Sequence, residues 1–195
     1  MLAPDDSALR EIEAALRIAD RSGDDFAVTV ARMTLGLALV HRPTAAERDR
    51  GQKVLAEVSD VFLRGGWGLD VLPIVNVYAA HERAGRGDRD DAIPLMRTAV
   101  HHLVRQGQLL VWGFPATGVL AAALLDRGTD DDVAGAEAAI ERLAVVETDP
   151  GFVPNEIWLL RMRALLARAK GDDTAYRDYR DRYRAMAASL GFEGT

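Results

Sequence analysis

Cysteine is absent from this 195-residue sequence, and only two of its basic residues are lysines, Lys53 and Lys170. The absence of cysteine excludes disulfides, thiolate metal sites and cysteine nucleophiles. A chain without cysteine fits a reducing compartment, so we expect the protein to be cytoplasmic. The preference for arginine over lysine is common in proteins from GC-rich bacterial genomes.

Long apolar runs and an excess of positive charge are also missing. No stretch reaches the about 20 consecutive apolar residues that a membrane-spanning helix needs, and the N-terminus has no basic segment ahead of an apolar one. We therefore expect neither a membrane span nor a signal peptide. The formal net charge is −6. A negative field repels polyphosphates, so we expect no direct binding to nucleic acid.

Glycine, by contrast, recurs at a nearly constant interval of about 42 residues, which is the signature of an internal repeat. Each of these glycines follows a helical pattern, and an aromatic residue usually stands within a few positions after it. A glycine just past a helix end adopts the left-handed conformation without steric cost. The recurrence therefore predicts repeated helix–turn–helix units. The five positions are Gly23, Gly65, Gly107, Gly151 and Gly191.

The apolar stripes of alternate helices follow the same period. The ends of the intervening helices mark it independently, at Pro43, Gly87, Gly128 and Gly171. Together these registers predict an all-α fold of about nine helices, with four antiparallel pairs and an unpaired last helix. The stripe residues are Ile12, Leu16 and Ala19, then Val54, Val58 and Val61, then Met96, Val100 and Leu103.

Local signals mark several helix boundaries. Thr44 and Glu47 have the spacing of a capping box, and Pro73 and Pro115 stand where a first helical turn tolerates proline. The runs of aspartate lie at predicted helix starts, where capping and the helix dipole explain them better than calcium does.

The last helix has a row of tyrosines at helical spacing. We expect Tyr176, Tyr179 and Tyr183 to pack inward on the preceding pair while the neighbouring arginines and aspartates face solvent. That arrangement would make the last helix a cap on the array.

With each glycine placed at an inter-helix turn, the pattern resembles the tetratricopeptide repeat family over nearly the whole chain. The stripe residues fall where that family has the packing residues of its first helix. The period of about 42 exceeds the family's 34, so the chain is similar to the longer-helix variety found in bacterial regulators. The resemblance implies a tetratricopeptide-like superhelix of antiparallel helix pairs, with 1–195 as a single helical repeat domain.

The C-terminal residues resemble a narrower group. The segment Tyr183 to Gly194 is similar to the C-terminal repeats of actinobacterial regulators that couple a class III adenylate cyclase or a helix-turn-helix domain to a signalling ATPase. The resemblance implies that this chain is the C-terminal part of a larger protein. The chain has no G-x-x-x-x-G-K-[ST] phosphate loop, cyclase domain or DNA-reading helix, so any such activity would belong to another part of that protein.

The candidate binding residues lie one position after each stripe residue. First helices line the concave face in the tetratricopeptide family, so the resemblance places these partly polar positions there. They fit either an ordinary solvated helix face or a partner groove of mixed charge. The candidates are Glu13, Arg17 and Asp20, then Ser59 and Phe62 beside Leu55, then Arg97 and His101 beside Val104.

Residues that could support chemistry are not grouped. The four histidines at 41, 81, 101 and 102 have no partner in a zinc-ligand spacing. Gly85-Arg86-Gly87 follows a helical pattern, whereas a dinucleotide motif follows a strand. We therefore expect no enzymatic activity, no cofactor and no metal.

Two functional hypotheses follow. The first is a non-enzymatic sensor or protein-interaction module of a bacterial signalling or transcriptional regulator, with a cyclase as one candidate linked domain. The second is a freestanding adaptor that binds a peptide or helix in its concave groove. The partner is a protein or peptide, or a neighbouring domain of the same protein. The length of the native gene product distinguishes the two.

We expect the purified chain neither to hydrolyse ATP nor to form cyclic AMP. Both reactions need phosphate-clamping and metal-binding residues, which we do not find in the sequence. Phosphate release and cyclic-nucleotide chromatography measure them. Turnover of ATP that a point substitution in this chain abolishes would contradict the expectation.

Overall fold

The computed structural model describes residues 4–146 and 153–189, and the regular structure in these two ranges is entirely helical. A short π-helical turn, Leu109–Gly113, leads directly into the sixth α-helix. The all-α prediction is confirmed for the described residues. Their nine α-helices are α1 Asp6–Ser22, α2 Asp25–Leu39, α3 Ala45–Gly65, α4 Leu72–Gly85, α5 Arg89–Arg105, α6 Phe114–Arg127, α7 Asp130–Ala144, α8 Val153–Ala169 and α9 Asp173–Ser189.

The helices begin where the capping signals placed them. Asp5 and Asp24 cap α1 and α2 by accepting hydrogen bonds from backbone N–H groups of the first turn. Thr44 caps α3: the Glu47 N–H donates to its hydroxyl at 3.2 Å, and that hydroxyl lies 2.6 Å from a Glu47 carboxylate oxygen. Pro73 stands in the first turn of α4, as predicted.

The helix ends also lie where the glycines predict them, except after α3, where the left-handed glycine is one residue later. Gly23 and Gly128 adopt the left-handed conformation after α1 and α6, with φ of 69° and 74°. After α3 the left-handed residue is Gly66, whereas Gly65 is the last helical residue. A Cβ on Gly65 would lie 2.3 Å from Trp67 Nε1, so this glycine serves the close packing of the Trp67 indole. Gly151 and Gly191 lie outside the described residues.

Each even-numbered helix packs most extensively against the odd-numbered helix that follows it, in the pairs α2 with α3, α4 with α5, α6 with α7 and α8 with α9. We expected each odd-numbered helix to pair with the even-numbered helix after it, starting with α1 and α2, so that α9 would be unpaired. Instead α1 is the extra helix, packed on α2, and α9 closes the array against α8. The tyrosine row of α9 is half-buried, and Ala187 is its buried residue.

The two layers of the array differ in how closely successive helices approach. In the even layer α4 contacts α6 and α6 contacts α8, whereas α5 and α7 of the odd layer are farther apart. The even-numbered helices therefore form the more closely packed layer, which we call the inner layer, and the odd-numbered helices form the outer layer.

The buried faces agree with the predicted stripes in α5 and deviate in α3. Met96, Val100 and Leu103 are buried as expected. In α3, Leu55 and Phe62 are only 1% exposed and join Val58 in the core, while Val54 and Val61 stay half-buried. Gly51 explains the rotation: a Cβ there would lie 2.9 Å from the backbone nitrogen of Val40, so α3 turns this face toward α2.

Arginines at the ends of the even-numbered helices link successive units. Arg42 pairs with Asp6 of α1 and with Glu47 of α3. In the same way Arg127 pairs with Asp90 of α5 at 3.0 Å and with Asp132 of α7 at 2.7 Å. The Arg127 guanidinium lowers the pKa of the 1%-exposed Asp132 carboxyl to about 2.

The most apolar helix is α6 together with the π-helical turn before it. The segment Leu109–Arg127, with 19 residues and a mean hydropathy of 1.7, is long and apolar enough to cross a membrane by length and composition. This corrects the expectation that no stretch reaches that length. Over half of its most apolar window is buried against other helices, and a core helix passes the same test.

The α3 rotation predicts unequal costs for two leucine truncations. Leu55→Ala should lower the free energy of unfolding by about 2–5 kcal/mol, because Leu55 is fully buried between α2 and α3. Leu16→Ala in α1 should cost clearly less, since Leu16 is half-buried. Urea unfolding of both variants measures the difference. Equal losses in the free energy of unfolding would contradict the assignment of Leu55 to the buried face of α3.

Candidate functional site

The residues predicted to line one concave groove are distributed over separate parts of the structure. In α1, Glu13 pairs with Arg50 of α3 at 2.9 Å, and Arg17 and Asp20 are exposed. In α3, Ser59 is half-buried. These positions do not form a common cavity.

Phe62 is a core residue and not a groove residue. Its ring is 1% exposed and packs edge-on against Trp67, with the ring centroids 5.0 Å apart. A side chain in that position has no surface to offer a partner. The prediction for Phe62 was wrong because the buried face of α3 includes Leu55 and Phe62, the positions after Val54 and Val61.

Arg97 and His101 do share a cavity, between α5 and α7 with α6 as its floor. We call it the outer groove. One face of each helix contributes, with residues three, four or seven positions apart. Its volume is about 490 Å³. The lining residues are Arg97, Val100, His101, Val104, Leu109, Thr117, Leu120, Leu124, Gly135, Ala139, Arg142, Leu143 and Val145.

The outer groove has an apolar floor and a basic rim. Arg97 lies across α7, with its guanidinium 3.8 Å from Asp132, and Gly135 makes room for it because a Cβ there would lie 3.1 Å from the Arg97 guanidinium. Arg142 is exposed on the α7 side of the rim. Val104 is 48% exposed at one end of the floor. The arrangement suits a ligand with one apolar and one acidic face.

A second cavity lies among α4, α6 and α8 of the even-numbered layer, and we call it the inner cavity. Its volume is about 410 Å³. In α8 the contributing residues recur at four, seven and eight positions, so they form one helix face. The lining residues are His81, Ala84, Gly85, Arg89, Ala122, Ala123, Leu125, Asp126, Arg161, Leu165, Arg168 and Ala169.

Arg161 is the most distinctive group of the inner cavity. Its guanidinium carbon lies 5.3 Å from the centre of the Trp158 ring, in a cation–π arrangement. Burial lowers the pKa of Arg161, and the described groups that oppose this are the hydroxyls of Tyr183 and Tyr78. Arginine stays charged in proteins, so the cavity holds a positive charge.

His81, which lines the inner cavity, lies near His41, and His41 packs beside Tyr78. The His41 ring packs edge-on against Tyr78 at 4.9 Å between centroids and lies 6.3 Å from the His81 ring. Burial, together with the charges of His81 and Arg161, lowers the pKa of His41 to about 3. Burial also lowers the pKa of His81 and raises that of Tyr78 to about 12.

No sequence motif predicts the inner cavity. Its arginine, histidine and alanines come from three helices and share no motif. One signal was present: Gly118 and Trp158 are both unusual in the middle of apolar helices. In the structure a Cβ on Gly118 would lie 2.6 Å from Trp158, so this glycine admits the ring that supports Arg161.

The described part of the chain contains no cluster of side chains that could bind a metal ion. No group of three or more histidine, aspartate or glutamate side chains that could hold a metal ion occurs in residues 4–146 and 153–189.

Comparisons with known proteins identify no relative. No family model, curated protein or solved structure matches the chain. The interpretation of both cavities therefore depends on the geometry and chemistry of the described residues.

The buried histidines predict a pH dependence of stability. A His41 pKa of about 3 in the fold, against 6.5 for a free histidine, means that only the unfolded chain takes up this proton on mild acidification. The free energy of unfolding should therefore fall as pH drops below about 6.5, by about 2 kcal/mol between pH 7 and pH 5 from this one group.

Urea unfolding at several pH values measures this slope, with His41→Asn as the test variant. The free energy of unfolding of His41→Asn should change less with pH than that of the wild-type protein. His102→Asn, at an exposed position, is the control and should keep the wild-type slope. If His41→Asn retains the full wild-type slope, His41 is protonated in the folded protein.

Proposed function

We propose that the chain is a non-enzymatic, tetratricopeptide-like interaction module that binds an amphipathic helix of a partner protein or neighbouring domain. The observation that carries the proposal is the outer groove, where an apolar floor is bordered by Arg97, His101 and Arg142. Apolar grooves with charged rims are a recurring mode of helix recognition.

The shape of the groove supports a helix as the occupant. Two helices of the outer layer, α5 and α7, are separated, and α6 lies beneath the gap. A helix placed there would pack as an additional member of the outer layer. Its apolar side would cover Val104 and Val145, which are 48% and 78% exposed. Covering such surface is the main source of binding free energy.

Charge supports an acidic flank on the bound helix. Arg97 and Arg142 lie on opposite sides of the groove, on α5 and α7, and both are exposed. In a chain with a net charge of −6, this local positive rim would select against basic partners and guide acidic ones. The proposed ligand is thus a helix with leucine-like residues on one face and glutamate or aspartate beside them.

Within a cell, such a module would act as a sensor or interaction domain of a bacterial signalling or transcriptional regulator. The likeness of the C-terminal residues to regulators that carry cyclase and ATPase domains supports this context. A freestanding adaptor is the second candidate, and the same groove would serve it.

A designed peptide pair tests the proposal. One fluorescent peptide is an amphipathic helix of leucine and glutamate, and its partner replaces each glutamate with lysine. We expect the acidic peptide to bind in fluorescence anisotropy at least about tenfold more tightly than the basic one, because like charges across an interface are repelled. Val104→Asp should weaken its binding, since Val104 is part of the apolar floor.

Leu63→Asp is the matched control, because Leu63 is an exposed apolar residue in α3, outside the groove. It should bind the acidic peptide as the wild-type protein does. Equal effects of the two substitutions, or equal affinity for both peptides, would rule out the outer groove as a helix site.

A further inference from the structure

The inner cavity is open to solvent on one side, and its deeper walls are mostly small and apolar. Ala84, Ala122 and Ala123 line it from α4 and α6, and Leu165 lines it from α8. Short side chains on facing helices leave the gap open. Its volume of about 410 Å³ is in the range of small-molecule sites, which is about 300–1,000 Å³.

The charge of the inner cavity is positive in an acidic protein. Its lining has three arginines and one aspartate. Arg89 is already paired with Asp126, at 2.5 Å, so this pair contributes little net charge. Arg161 and Arg168 supply the remaining positive charge, and Arg161 lies deeper, since Arg168 is exposed.

Arg161 is poised for an anion. No ion pair among the described residues involves its guanidinium, although the side chain is half-buried. Burying a guanidinium without a carboxylate costs free energy, and an anion from solution would remove that cost. Trp158 holds the guanidinium in place, and Trp158 is itself seated against Gly118.

A second polar group faces the same space from α4. The Nδ1 atom of His81 is buried and has no hydrogen-bond partner among the described residues. Burial keeps the His81 ring neutral by lowering its pKa. A neutral imidazole donates one hydrogen bond, so His81 can provide a donor to a ligand oxygen.

We propose that the inner cavity binds a small organic carboxylate, with its carboxylate on the Arg161 guanidinium and its apolar body against Ala122, Ala123 and Leu165. A guanidinium matches a carboxylate in two parallel hydrogen bonds, which gives the head group a fixed orientation. The alanine walls accept an aliphatic chain and offer it no polar group. The site is separate from the outer groove, on the opposite side of α6.

Calorimetric titration of the full chain tests the proposal with three probes: octanoate, octanol and acetate. Octanoate should bind best, because it has both the charged head and the apolar body. Octanol lacks the charge and acetate lacks the body, so each should bind at least about tenfold more weakly. Equal binding of octanoate and octanol would overturn the role of Arg161.

Two substitutions locate the binding. Arg161→Met should weaken octanoate binding at least about tenfold and leave octanol binding unchanged. Ala122→Leu should weaken binding of both, because it fills the cavity. The matched controls are Arg163→Met, on the same helix but outside the cavity lining, and Ala134→Leu, at an exposed position of α7.

Thermal unfolding shows that the variants are folded. Arg161→Met should melt at or above the wild-type temperature, because it removes a half-buried charge without a carboxylate partner. If Arg161→Met does not fold, octanoate binding by the Ala122→Leu variant tests the proposal in its place. Octanoate binding that survives Ala122→Leu, or that Arg163→Met weakens as much as Arg161→Met, would overturn the proposal. Val104→Asp, in the outer groove, should leave octanoate binding intact.

Discussion

The burial of α6 is the constraint on which the rest of the structure depends. Nine of its fourteen residues are buried, and it packs against α4, α5, α7 and α8. Among the described helices α4 also contacts four neighbours, α2, α3, α5 and α6, and it buries eight of its fourteen residues. Helix α6 has no solvated face along most of its length, so its sequence up to Leu125 contains no charged residue. Its small residues, Gly118 and the alanines around it, set how closely its neighbours approach.

Both candidate sites follow from this position of α6. Its outward side is the floor of the outer groove, through Thr117, Leu120 and Leu124, and its opposite side is a wall of the inner cavity, through Ala122 and Ala123. The two sites therefore share one rigid element. The ligands that we propose for them differ because their other walls differ: exposed arginines border the groove, whereas the half-buried Arg161 and His81 line the cavity.

Much of the fold could be predicted from the sequence, because caps, turn glycines and first-turn prolines act locally. Thr44, Gly23 and Pro73 have the predicted roles. The pairing of helices could not be predicted in this way, since a helix that packs forward or backward along the chain produces the same period. The burial of Phe62 was missed because Gly51 sets the rotation of α3 through a contact with Val40. Of the predicted groove residues, Arg97 and His101 meet in one cavity, and the role of Arg161 depends on contacts from distant helices.

Hydrogen exchange of individual backbone amides, followed by NMR in the native protein, tests the central position of α6 most directly. If α6 is the helix on which both layers depend, its interior amides should exchange only through global unfolding, with a free energy equal to that from urea unfolding. The amides of α1 and α9, each packed on one neighbour, should exchange at lower free energies. Interior amides of α6 that exchange as readily as those of α1 would contradict the account.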